Sequence, residues 1–171
     1  MNKKTEREIR RDRLRFTKNK LSSNMILLAI AANALYFVSI YGSDVGNYYY
    51  KIFIGGSIIY NLVFMLAAFL SSEGVKNYKL SYACLSVLLG VLQVARIFGI
   101  PIRALRAKNP VAGAKCATVM SGGQFRYVTI CLCVSAALLA FAGVMGVIRS
   151  SELKKHIAKL ENNEREGTGD E

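Results

Sequence analysis

VTICLCVSAALLAFAGVMGVI, Val128 to Ile148, decides the fold. Its 21 residues contain no Asp, Glu, Lys, Arg or His. A helix rises about 1.5 Å per residue, so a run of this length matches the roughly 30 Å hydrocarbon core of a bilayer. Along the run, Ala136, Ala140 and Gly143 share one stripe, and Ala142 and Gly146 lie four apart on another. Small residues let helix backbones approach closely where lipid supplies no hydrophobic drive. The stripe therefore predicts helix packing, either inside a bundle or against another membrane protein.

The flanks of this run carry two short signals. Ahead of it, Ser121-Gly122-Gly123-Gln124 matches the signature loop of ABC-type ATPases. That loop needs a companion phosphate-cradling G-x-x-x-x-G-K-[ST] segment, and the chain has none. The match is instead expected to be a Gly-Gly turn leading into the span, with Gln124 and Arg126 at the headgroups. Behind it, Ser150 or Ser151 can cap a separate helix, ELKKHIAKLE, on which Leu153, Ile157 and Leu160 form one apolar stripe. This stripe suits docking on a cytoplasmic partner or on lipid.

Three further apolar runs precede the first: 25–41, 52–70 and 80–100. None contains an acid, and Arg96 is the one base among them. Four such runs exceed what a small soluble core would bury. A net charge of +12 in a soluble protein would suggest nucleic-acid binding, but here the bases flank the apolar runs. That placement fits anionic headgroups and argues against a nucleic-acid partner. Residues 1–24 carry nine bases, from Lys3 to Lys20, against Glu6, Glu8 and Asp12. Bases beside a span stay in the cytoplasm, so both termini are expected inside a cell membrane. The run at Met25 is expected to be a retained span rather than a cleaved signal, because its basic leader is long.

The chain thus reads as an all-α membrane protein, four transmembrane helices in an antiparallel bundle with short amphipathic helices at both cytoplasmic ends. Its expected parts are a basic cytoplasmic N-terminal segment (1–24), a transmembrane domain (25–148) and an amphipathic helix with a disordered tail (149–171). Within the domain, the 101–127 connection stands out. It holds Arg103, Arg106, Lys108, Lys115 and Arg126 with no acid, on the side where bases are not expected. Anionic lipid or wall polymer outside, an acidic partner docking on the loop, or a topology other than the one expected accounts for it.

Polar residues inside the spans are Asn33, Ser39, Ser57, Asn61, Ser86, Gln93, Thr129 and Ser135. Interhelical hydrogen bonds are their ordinary use. Gln93 and Arg96 share a face at i, i+3, and with Asn61 they form a possible polar site. Arg96 is expected to snorkel to the outer headgroups. The cysteines Cys84, Cys116, Cys131 and Cys133 form no C-x-x-C pair, and His156 is the sole histidine, so no redox pair, metal ligand set or cofactor site is expected.

A basic N-terminus, four spans, VMSGGQFRYVTICLC entering the last span and IRSSELKKHIAKLE leaving it resemble small uncharacterised membrane proteins of Gram-positive anaerobic bacteria. Some of these are encoded beside permeases of sugar-importing ABC systems. The resemblance implies a non-enzymatic accessory or scaffold subunit of a membrane transport complex, such as a carbohydrate ABC importer. The fourth span would pack on an integral membrane permease, and the basic loop would meet an extracytoplasmic solute-binding protein. The alternative is a small self-associating transporter or channel using Asn61, Gln93 and Arg96. A membrane-embedded enzyme is disfavoured.

Overall fold

The computed structural model describes residues 18–41, 53–106, 108–109, 117–118 and 120–167, with backbone alone at 53–54, 108–109, 117–118 and 160–167. The fold is all-α, and four of its helices are long and apolar enough to cross a membrane. In chain order they are α1 (Lys20–Tyr41), α2 (Phe53–Lys76), α3 (Leu80–Ile97), the short α4 (Ile100–Arg106) and α5 (Gly122–Gly167). Between α4 and α5, β1 (Lys108–Asn109) pairs antiparallel with β2 (Ala117–Thr118).

The helix ends follow from local chemistry. Asn19 caps α1: its Oδ1 accepts from the Ser22 amide, at 3.4 Å, and its Nδ2 donates to Ser22 Oγ at 2.9 Å. Helix α2 stops in a Schellman turn, in which Lys79 N bonds Gly74 O at 3.0 Å and Tyr78 N bonds Val75 O at 3.1 Å. Tyr78 takes the left-handed position of that turn, φ 57°, a place that usually goes to glycine. Helix α3 breaks at Phe98-Gly99 because Pro101 has no N–H to continue the ladder and its ring would strike the carbonyl of Ile97. Beyond the break, Pro101 sits in the first turn of α4, where proline is tolerated. The expected loop 101–127 therefore begins as a helix.

The expected separate helix after the fourth span is not formed. Helix α5 runs unbroken for 46 residues, about 69 Å at 1.5 Å per residue. Neither Gly nor Pro falls between Met145-Gly146 and Gly167, and Ser150, instead of capping a new start, donates to the Tyr78 carbonyl at 2.8 Å. Along this extension Leu153 is half-buried, Ile157 is exposed and Leu160 belongs to the backbone-only part. The amphipathic helix expected in residues 1–24 lies largely outside the described residues.

The four long helices pack as a square. Helix α1 contacts α2 and α5, α3 contacts α2 and α5, and the α3–α5 seam is the most extensive. That seam uses the small-residue stripes. A Cβ on Gly143 would lie 2.5 Å from Val87 Cγ2 and 2.9 Å from Ala83 O. Gly146 meets Ala83 and Val75, and Gly90 of α3 sits against the backbone of Ala136 and Ala140. Ser86 Oγ adds a bond to Leu139 O at 3.0 Å across the same seam. The expectation that this face packs on a permease gives way, because it is occupied within the bundle.

Apolar side chains fill the bundle in two layers. One contains Ile26, Ala29, Phe64, Ala68, Val75, Ala83, Leu89, Leu139 and Ala142. The other, toward Arg126, contains Tyr36, Ile40, Ala104, Met120, Val128, Cys131 and Leu132. The outward faces are also apolar, with Val38, Ile59, Val63, Leu66, Val91 and Ile130 exposed. A surface of that kind belongs in lipid.

Candidate functional site

Between the two apolar layers lies a layer of polar side chains. Asn33, Asn61, Gln93 and Ser135 are each fully buried, and they come from four different helices. Counted from the Lys20, Lys76, Leu80 and Arg149 end, each sits about 20 Å along its helix at 1.5 Å per residue. Arg96 lies one turn beyond Gln93, about 24 Å along α3. This depth is inside the hydrocarbon of a membrane about 30 Å thick.

Arg96 does not snorkel. Its Nη1 donates to Asn33 Oδ1 at 2.9 Å and to Asn61 Oδ1 at 3.0 Å. Its guanidinium carbon stands 4.3 Å from the Tyr36 ring centroid and 5.1 Å from that of Tyr60. Two rings and two amide oxygens replace the headgroups that the expectation assigned to it. Charge-assisted bonds are worth about 1.5–3 kcal/mol, and a desolvated cation over an aromatic face gains up to about 2 kcal/mol. Together they exceed the roughly 2.5–3.5 kcal/mol that insertion scales give for an arginine at mid-membrane.

The orientation of every amide follows from the arginine. A guanidinium only donates, so Asn33 and Asn61 must both turn their oxygens toward it. Asn33 Nδ2 then donates to Asn61 Oδ1 at 2.8 Å. Asn33 Oδ1 takes a second donor, Gln93 Nε2 at 3.0 Å, which also reaches Ser135 Oγ at 3.0 Å. Ser135 Oγ in turn donates to Ala29 O at 3.0 Å. The chain of donors leaves a remainder. Arg96 Nη2, Asn61 Nδ2, Gln93 Oε1 and Tyr36 Oη are buried with no hydrogen-bond partner among the described residues. The positive charge is likewise unmatched, since the one ion pair among those residues, Lys76–Glu73 at 2.8 Å, lies at the other end of α2.

The arginine lines a cavity of about 500 Å³. Gly56, Ser57 and Tyr60 of α2 form one wall, Leu92, Ala95 and Arg96 of α3 the other, and Gly99 with Ile100 closes the end. The α2–α3 seam is the least extensive of the four helix seams, and the glycine at 56 leaves it open, since a Cβ there would meet nothing within 4 Å. A cavity of this size is in the range of small-ligand sites.

Of the sequence-derived candidates, Asn61, Gln93 and Arg96 meet in this layer. Asn33, Tyr36, Tyr60 and Ser135 join them without having been assigned to the site. The Asn33-x-x-Tyr36 spacing, which places an amide and a ring on one helical face, was the available signal. Arg103 and Arg106 lie exposed on α4, Lys108 is in β1, Arg126 is exposed on the first turns of α5, and Lys115 and Cys116 lie outside the described residues. Ser121 caps α5 by accepting from the Gln124 amide at 3.1 Å. Gly122 and Gly123 are thus the first helical turn rather than a loop, and Gln124 reaches back to Ser39 O at 3.0 Å.

Cys84 and Cys133 are exposed, Cys131 is buried, and all three are free. Among the described residues no three His, Cys, Asp or Glu side chains come together. At the bundle's opposite end, Asn19 makes a second buried junction. It accepts from Arg149 Nη1 at 3.0 Å, and its amide bonds Lys76 O at 3.0 Å, joining α1, α2 and α5. Nearby, Ser23 and Ser72 share a 2.7 Å bond. Four apolar spans make the chain a multi-pass membrane protein; no family model, no curated protein and no solved structure matches it.

Proposed function

We propose that the protein is a non-enzymatic membrane-embedded binding protein for an anionic group, with Arg96 as its centre, working as a small transporter or as the binding subunit of a transport complex. The observation that carries this reading is the half-buried, unmatched Arg96 guanidinium, whose buried Nη2 has no hydrogen-bond partner among the described residues. An ionisable side chain held at that depth is a functional group by default. The apolar layers on both sides of it favour a binding site over a water-filled pore. With the basic segment 1–24 inside, the site lies in the outer half of the bilayer.

The test is thermal unfolding of the purified protein in a neutral maltoside detergent with inorganic phosphate, butyl phosphate or hexadecyl phosphate. Stabilisation by at least one of these that disappears in Arg96→Gln supports the reading. Equal responses from both proteins to all three refute it.

A second reading, the accessory subunit, is favoured by the length of α5. About 17 residues of this helix continue past Ser150 and present Ile157 and three bases, Lys154, Lys155 and Lys159, to a partner. In this reading an integral permease binds that arm, and an extracytoplasmic solute-binding protein meets Arg103, Arg106 and Arg126. A carbohydrate importer enters only through the resemblance. Stoichiometric co-purification of a permease, lost on truncation at residue 151, supports it. A homo-oligomer that moves solute when reconstituted alone overturns it.

A further inference from the structure

We infer that the anion reaches Arg96 from the bilayer, as the head of an amphiphile whose chain lies in the α2–α3 seam; this rests on the anion-binding reading above. The geometry of access supplies the first argument. Along α1 and α5 packed apolar side chains stand on both sides of the polar layer, whereas the cavity that Arg96 lines lies between α2 and α3, whose outward faces are apolar. Ile59 and Val63 of α2 and Val91 of α3 are each 60–65% exposed. A lipid can reach a seam between two such faces by lateral diffusion.

The second argument is the division of the cavity. Its polar part is Arg96 and Ser57, with the Tyr60 ring 5.1 Å from the guanidinium. The rest of the wall, Gly56, Leu92, Ala95, Gly99 and Ile100, is aliphatic or bare backbone. A charged end and an apolar trough call for a ligand built the same way, an oxyanion on a hydrocarbon chain. Phosphate and carboxylate share that chemistry, since a guanidinium offers paired donors to either.

The third argument is the glycine. Gly56 is helical, lines the trough and faces open space, so nothing in the packing requires it. A larger side chain would fill the trough without touching the Arg96 bonds. Gly56 is therefore the position at which the chain's place can be blocked while the charge is left intact.

The experiment compares wild type, Gly56→Trp, Arg96→Gln and Asn33→Asp in maltoside micelles, with hexadecyl phosphate, hexadecanol and inorganic phosphate as probes. Hexadecyl phosphate at about 100 times its Kd should raise the wild-type Tm by about 5–10 °C. Hexadecanol and inorganic phosphate at the same concentration should not. Gly56→Trp should keep the unliganded Tm within a few degrees and lose the response at least tenfold in midpoint. Arg96→Gln should lose it as well, and if that variant does not fold, Asn33→Asp provides the same charge removal with Arg96 retained. An Arg96-dependent response to inorganic phosphate that equals the response to hexadecyl phosphate, with Gly56→Trp unaffected, overturns the amphiphile while leaving the anion site standing. No Arg96-dependent response to any probe overturns both. Asp44 is the one acid in the 42–52 connection. If Asp44→Asn lowers the unliganded Tm as far as Arg96→Gln does, and their effects are not additive, the counter-ion is internal and the inference fails.

Discussion

Replacing Asn33 by aspartate separates the charge of the site from its architecture. The side chain keeps its shape and keeps the Oδ1 that accepts from Arg96 Nη1 at 2.9 Å and from Gln93 Nε2 at 3.0 Å. It gains a negative charge about 4 Å from the guanidinium centre, worth about 4 kcal/mol at an effective dielectric near 20. Against that, it loses the Nδ2 bond to Asn61 at 2.8 Å, about 0.6–1.7 kcal/mol inside a membrane. Burying the carboxylate costs several kcal/mol more. The terms nearly cancel, so the expected change in stability is within about 2 kcal/mol, or 4–8 °C in Tm for a chain of this size. Anion binding should behave differently. A ligand would face a neutral pair instead of a cation, and losing even about 2 kcal/mol of attraction weakens binding roughly 30-fold. By contrast, Asn33→Leu removes all three hydrogen bonds with no compensation and should lower stability by about 2–5 kcal/mol. Thermal unfolding with and without hexadecyl phosphate, in micelles at constant salt, reads both quantities. Unchanged affinity in Asn33→Asp would show that the arginine's charge is not what binds, and a destabilisation equal to that of Asn33→Leu would show that the bonding pattern is wrong.

Three other substitutions probe the frame that holds the site. Gly143→Val places methyl groups where Val87 Cγ2 and Ala83 O stand, and overpacking of this kind should cost about 1–3 kcal/mol, seen as a lower Tm and more aggregation on size exclusion. Gly122→Ala, in the open first turn of α5, is its neutral control. Asn19→Ala removes a helix cap and the partner of Arg149, a loss of about 2 kcal/mol that hydrogen exchange should register first in the opening turns of α1. Tyr78→Gly relieves a left-handed φ of 57° and should gain up to about 1 kcal/mol in denaturant unfolding; a clear loss would mean the ring's contacts outweigh the backbone strain.

The distribution of sequence readings that held and failed has a physical pattern. Number, position and type of the spans were legible because run length against bilayer thickness is a one-dimensional property. Where side chains choose between two partners, the one-dimensional argument failed. Arg96 sits near enough to a span end to snorkel, and only the meeting of Asn33 with Asn61 above two tyrosine rings turns it inward. Ser150 had the chemistry of a cap, but the Tyr78 carbonyl reached it first and α5 continued. The small residues of α5 could have served a partner, yet Gly90, Ala83 and Val87 on α3 filled that face.

The sequence by itself determined that this chain lives in lipid, because four long runs without an acidic residue have no other favourable solvent. It also determined that Gln93 and Arg96 share a helical face, because 3.6 residues per turn places them there. Only the tertiary structure decided what surrounds them. A layer assembled from α1, α2, α3 and α5 joins residues 28 to 106 positions apart, and whether their donors and acceptors match is a property of how the helices rotate and approach. The unpaired Nη2 and the open seam beside it are remainders of that assembly: what four helices leave over once their own bonds are made.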